Sequence, residues 1–179
     1  MKLRAITSTD PKTLVRKTHV IARAARTYGL PVIASTALVR LAHPEGLIPE
    51  LRPFVHSECV IDRTVMNAWE EPTIRDTVAE TGRRHVILCG VWTGTCVLAA
   101  LHALRDGFHV NLPVDVVGST SELCHDIALR RAERAGVTLT TLPYLLTELQ
   151  GDFAHDDTVD DYLDMLGLAG VHLNLAGAA

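Results

Sequence analysis

Short apolar runs alternate with amphipathic stretches along most of this chain, and single glycines separate them. Leu14, Ile21 and Ala25 fall on one face of a 3.6-residue period, which predicts a helix from Pro11 to Tyr28. Asp10 caps it, Pro11 suits its first position and Gly29 stops it. Val32 to Ser35 reads as a strand, and Leu41 to Phe54, broken by Pro44, Gly46, Pro49 and Pro53, as a loop. Cys59 to Asp62 is a short extended run, and Pro72 to Thr81 a helix closed by Gly82. Val86 to Cys89 is apolar enough for a buried strand, and a helix from near Cys96 to Arg105 follows it. Phe108 to Val117 is a strand region that Pro113 kinks or shortens. Ser119, Thr120 or Ser121 caps a helix running to Ala135, Val137 to Leu142 is a strand, and Pro143 opens a further helix. Strands alternating with helices predict an α/β fold: a three-layer α/β/α sandwich on a mainly parallel sheet.

The tail breaks this rhythm. Residues 1–150 read as one domain, and 151–179 as an extension that is first acidic (Asp152, Asp156, Asp157, Asp160, Asp161, Asp164) and then small and apolar. Thr158 to Leu166 could form a short helix. The extension reads either as solvated chain or as an arm laid on a neighbouring subunit.

Composition then removes several classes of function. With 179 residues, 47% of them hydrophobic and 21% charged, the chain suits a packed globular protein. A net charge of −4 gives no footprint for nucleic acid. No apolar run reaches the ~18 residues of a membrane span, and the first residues do not read as a secretory signal. The four cysteines show no C-x-x-C spacing and suit a reducing cytoplasm.

The chemistry centres on Cys96. Gly90 ends the strand before it, and Thr93 or Thr95 can cap the helix that follows. A thiol in the first turn of a helix, at the C-terminal edge of a parallel sheet, meets the helix dipole and free backbone N–H groups, where ligands bind in such sheets. Cys96 is therefore expected to be the most reactive of the four thiols. Cys89 is expected to be buried in its strand, with Cys124 in a helix and Cys59 in the extended run. The plain alternative for any of them is core filling.

Gly90-Val91-Trp92-Thr93-Gly94-Thr95-Cys96-Val97 resembles the Gly-x-x-Thr-x-x-Cys-Val signature of isochorismatase-like cysteine hydrolases. Three further stretches resemble the family in order and spacing: Gly29 to Thr36, Gly46 to Leu51, and Asp62-Arg63-Thr64-Val65-Met66-Asn67-Ala68-Trp69, the last two pointing to its YcaC-like branch. The resemblance implies hydrolysis of a C–N bond in a small amide or imide, with Cys96 as nucleophile and Arg63 as the basic partner. It also implies an oxyanion hole from the Trp92 and Cys96 N–H groups, a cis peptide before Trp92, a pocket walled by Asn67, Trp69 and Trp92, and a homo-oligomer.

The family's catalytic Asp ends a strand that precedes the first helix, and Met1 to Asp10 leave no room for that strand. Its loss would expose sheet edges. Asp62 and Asp115 are possible stand-ins for the acid. Without it the alternatives are a catalytically inactive homologue that binds or assembles, or a redox or thiol-transfer protein. No cofactor is implied. His43, His56, His85, His102, His109 and His125 do not form a metal spacing, and Thr36 to His43, where metal-binding relatives place ligands, holds one histidine.

Overall fold

The computed structural model describes residues 3–37, 39 and 46–171. The expectations that fall on His43, on most of Leu38 to Glu45 and on the apolar end 172–179 lie outside them. Helices α1 (Pro11–Thr27), α2 (Pro72–Glu80), α3 (Thr93–Arg105), α4 (Glu122–Arg134), α5 (Leu142–Gln150) and α6 (Val159–Leu168) alternate with seven short strands. These are β1 (Ala34–Ala37), β2 (Val60–Arg63), β3 (His85–Ile87), β4 (Gly90–Val91), β5 (His109–Pro113), β6 (Val117–Gly118) and β7 (Thr138–Thr140). Among the described residues every strand pairing is parallel.

The helix limits follow from side-chain chemistry at their ends. Asp10 accepts the Thr13 N–H at 2.8 Å, and Pro11 needs no partner for a missing N–H. Ser121 accepts the Cys124 N–H at 3.1 Å and so starts α4. Along β3 and β5 the period of two assigns residues to layers. Ile87 packs against the cluster built by α1, α5 and α6 around Val20, Leu142 and Met165. Val86, Leu88, Val110 and Leu112 face the other cluster, built by α3 and α4 around Val97, Ala100 and Ala132. The three-layer arrangement follows.

The sheet is interrupted. Among the described residues β1 pairs only with β2, while β3, β5 and β7 form a separate ladder and β4 and β6 a third. Val32 and Ile33, and Val86 to Leu88, are only partly buried although apolar, whereas Val110 and Leu112 in β5 are fully covered.

The described part of the tail divides in two. Residues 152–157 are exposed, but Tyr162, Met165 and Leu166 of α6 sit in the same core as Val20 of α1. Arg23 forks between Asp161, at 2.6 Å, and Asp164, so part of the acidic run is paired with α1.

The segment before α1 closes over the sheet edge. The N–H groups of Thr7 and Ser8 both donate to the Ser119 carbonyl, and Ile6 is buried. Gly118 permits this approach: a Cβ there would lie 2.9 Å from Leu14 Cδ2 and 3.1 Å from Ile6 Cγ2. Gly118→Ala is expected to cost about 1–3 kcal/mol through overpacking. Urea titration checks it, and an unchanged midpoint would show that Leu14 and Ile6 yield freely.

Candidate active site

The site grows from the exit of β3. Leu88 and Cys89 leave the strand, Gly90 and Val91 pair with Val117 and Gly118, and α3 begins at Thr93. Gly90 adopts φ 127°, where a side chain would be strained. The Val91–Trp92 peptide is cis, as the family signature implies. Trp92 is the N-cap. Its N–H donates to the Thr95 hydroxyl at 3.1 Å, and its carbonyl accepts that hydroxyl at 2.7 Å. The Trp92 carbonyl also takes the N–H groups of Thr95, at 2.9 Å, and Cys96, at 3.0 Å. Cys96 thus sits in the first turn of α3, as expected.

Both amides assigned to the oxyanion hole therefore have protein partners here, Trp92 N–H on Thr95 Oγ1 and Cys96 N–H on the Trp92 carbonyl. The N–H groups outside the helical ladder are those of Thr93 and Gly94, the first two residues of α3. The Trp92 indole Nε1 is buried and has no hydrogen-bond partner.

Burial pushes the Cys96 thiol up to about 12, the charge of a neighbouring Cys89 adds to this, and Arg63 opposes it. Cys89 corrects one expectation. Its side of the chain is open to solvent, not buried in the strand, yet the surrounding protein pushes its thiol up to about 11. Cys124 lies in a helix, as expected, and is exposed in the first turn of α4.

Arg63 ends β2. It donates Nε to Ser35 Oγ at 3.3 Å and Nη1 to the carbonyls of Val65 and Met66, the latter at 2.8 Å. Burial pulls its pKa down, while negative charge on Cys96 and Asp62 pulls it up. The structure thus brings Arg63 and Cys96 into electrical contact across the break in the sheet.

The two stand-in acids are committed elsewhere. Asp62 Oδ1 accepts from Thr36 Oγ1 at 2.9 Å and from Val39 N at 3.1 Å, closing the end of the β1–β2 ladder. Asp115 pairs with Lys17 at 2.7 Å and accepts the Leu142 N–H at 2.7 Å, joining α1 to the start of α5. Neither is among the charges that bear on Cys96.

Asn67 and Trp69, expected to wall the pocket, are both buried. Trp69 is 3% exposed and packs edge-on against Phe108 at 5.1 Å, with its indole N–H on Asp106 at 2.8 Å. Asp106 caps the far end of α3, so Trp69 belongs to the core. Asn67 is buried; its Oδ1 accepts the Trp69 N–H, and its Nδ2 lies 3.0 Å from His102 Nδ1. Its amide holds a turn against the middle of α3. Only Trp92 of the three expected pocket residues adjoins Cys96 in the chain.

Sequence reasoning missed one contact. Thr93, fully buried in the signature, meets His125 of α4: Oγ1 to Nδ1 is 2.8 Å. Nothing local in the sequence marks that pairing. Two surface grooves, one over Val15 and His19 and one over Val114 and Tyr144, are not lined by Cys96. Among the described residues no group of three His, Cys, Asp or Glu could hold a metal ion.

A profile of the isochorismatase domain matches residues 7–143. The chain belongs to the isochorismatase family. It is 32% identical over 135 residues to the probable hydrolase YcaC of Escherichia coli (strain K12), an alignment covering 74% of this chain and 64% of that protein. Isochorismatase domain-containing protein 2 of Rattus norvegicus is 30% identical over 140 residues, covering 76% and 66%. The chain spans just under two thirds of the length of these curated relatives. Among solved structures, YcaC from Pseudomonas aeruginosa, with hexane-2,5-diol and covalent acrylamide, superposes with a TM-score of 0.85 at 27% identity, covering 93% of this chain and 82% of that one. The Escherichia coli YcaC gene product, an octameric hydrolase of unknown specificity, gives a TM-score of 0.80 at 26% identity, covering 92% and 86%. Family membership and the fold rest on these matches together with the signature around Cys96.

Proposed function

We propose that this isochorismatase-family hydrolase acts on a C–N bond of a small amide or imide through Cys96. The observation that carries the reading is the Cys96 thiol in the first turn of α3, with Arg63 the cation that bears on it. Sγ attacks the carbonyl carbon and the carbonyl oxygen becomes an oxyanion. The C–N bond then breaks, the amine leaves carrying the proton that the thiol gave up, and water opens the thioester. The Thr93 and Gly94 N–H groups are available to the oxyanion. Trp92 N–H and Cys96 N–H join them only if the first turn relaxes. Arg63 holds negative charge but does not take a proton at neutral pH. The unpartnered Trp92 Nε1–H favours a substrate that presents an acceptor oxygen or nitrogen beside Cys96. The covalent acrylamide on the Pseudomonas relative, an electrophile that thiolates attack, supports a nucleophilic site in the family.

A second reading has its own support. A thiol held near 12, with Asp62 bonded to Thr36 and Val39 and Asp115 paired with Lys17, fits a homologue that binds or assembles without turning over. Ammonia release from a panel of small amides and imides separates the two. Slow turnover lost in Cys96→Ala supports the hydrolase. No turnover at any concentration, with ligand binding retained, supports the second reading.

The relative described as octameric leads us to assign a homo-oligomer here as well. Leu123 and Ile127, 71% and 54% exposed, lie one turn apart on α4 and offer a second copy an apolar face. Sedimentation is expected to give a multiple of 19.5 kDa, reduced by Leu123→Lys with Ile127→Lys. A single 19.5 kDa species in the unaltered chain would overturn the assignment. Among the described residues no helix is long and apolar enough to cross a membrane, and all four cysteines are free thiols, which suits the cytoplasm we assign.

A further inference from the structure

We propose that His125 is a positioning residue for Cys96, acting through the buried hydroxyl of Thr93. The proposal rests on the reading of Cys96 as the nucleophile. Thr93 opens α3 and Cys96 follows it by three residues, so the two share one face of the first turn. A small rotation of that turn about the helix axis carries the sulfur with it.

What fixes the turn is therefore the question. The bonds among Trp92, Thr95 and Cys96 all lie within the turn and move with it. The Thr93–His125 bond comes from outside. Among the described residues it is the side-chain hydrogen bond that ties the first turn of α3 to another element.

The other end of the tie is itself held. His125 lies in the first turn of α4, its N–H donates to the Ser121 carbonyl at 3.1 Å, and Ser121 caps the helix. Thr93 is 0% exposed, so water cannot replace the imidazole as partner without opening the α3–α4 contact. Burial lowers the His125 pKa and keeps the ring neutral at pH 7. A neutral ring with its hydrogen on Nε2 accepts the Thr93 hydroxyl hydrogen at Nδ1. The charge that opposes this is Asp126, the next residue of α4. On α3, Cys96 is one turn from Thr93, and His102 and Arg105 are two turns or more further along; β7, packed under α4, carries no titratable group.

The experiment follows site-resolved iodoacetamide labelling of Cys96 at pH 9 in the full chain, with Cys59, which lies off both helices, as internal reference. Thr93→Val and His125→Leu are each expected to slow Cys96 labelling about tenfold, the scale of one lost buried hydrogen bond. Cys59 labelling should hold its rate. The double variant should be no slower than either single one, because both remove the same bond. Thr93→Ser and His125→Asn, whose Oδ1 stands where Nδ1 stood, should restore the rate to within about twofold. Thr93→Ala with His125→Ala repeats the cycle if a larger replacement fails to fold.

Wild-type rates in the single variants, multiplied losses in the double one, or no rescue by Asn would overturn the proposal, as would a wild-type Cys96 that never labels. Labelling that follows this pattern in a protein without amide turnover would sink the hydrolase reading and leave the positioning role standing.

Discussion

At pH 7, brief alkylation is expected to modify exposed Cys124 at least a hundredfold faster than Cys96. A thiol pushed up to about 12 holds only about one part in 10⁵ as thiolate at that pH, and its greater intrinsic nucleophilicity recovers only part of the loss. The rate at Cys96 should climb about tenfold per pH unit through pH 10 and show no plateau there. Mass-spectrometric mapping at several pH values reads both quantities. A Cys96 that labels first at pH 7 would mean that a charge or proton acceptor outside the described contacts lowers its pKa.

The shift has a consequence for stability, with a definite sign. Burial makes the thiol harder to ionise in the native protein than in the unfolded chain, where it is solvated. Above about pH 9 the unfolded chain therefore binds fewer protons than the native one, and stability falls as pH rises toward 12. Arg63→Met removes a cation that opposes this shift and should slow Cys96 labelling further.

Trp69→Ala is expected to lower stability by about 3–5 kcal/mol, enough to unfold a marginal domain. It removes a large core side chain, the edge contact with Phe108 and the bond to Asp106. Trp69→Phe keeps a ring against Phe108 and should cost clearly less. Denaturant midpoints distinguish this from a pocket role, in which Trp69→Ala would keep the midpoint and change only ligand binding.

The contrast between Trp92 and Trp69 shows where sequence reading reaches its limit. The stretch from Val86 to Val97 is local: strand, glycine turn, cap and helix start are all decided by near neighbours. Its thiol position and cis bond are therefore legible from the signature. The partners of Trp69 are not. Asp106 is 37 positions away and Phe108 lies beyond it, so no periodicity near Trp69 announces that its indole is spoken for.

The same holds for Asp115. Following a strand, it has the placement of a catalytic acid, yet Lys17, 98 positions earlier, takes it for the α1–α5 junction. Cys89 fails for a different reason. Its apolar neighbours predict burial, but that prediction assumes a covered strand, and β3 has a partner on one edge only among the described residues.

The clasp between α1 and α6 bears on how the protein is made. Arg23 and Asp161 are 138 positions apart, and a ribosome adding about 5–20 residues per second takes roughly 7–30 s to cover that distance. Throughout that interval α1 has emerged without the helix that covers Val20, Ile21 and Ala24. The apolar stripe of the nascent chain is thus on offer to holding chaperones for the whole wait. Biosynthesis, more than the finished fold, is where a slowed codon or a missing chaperone should reduce the yield of this protein.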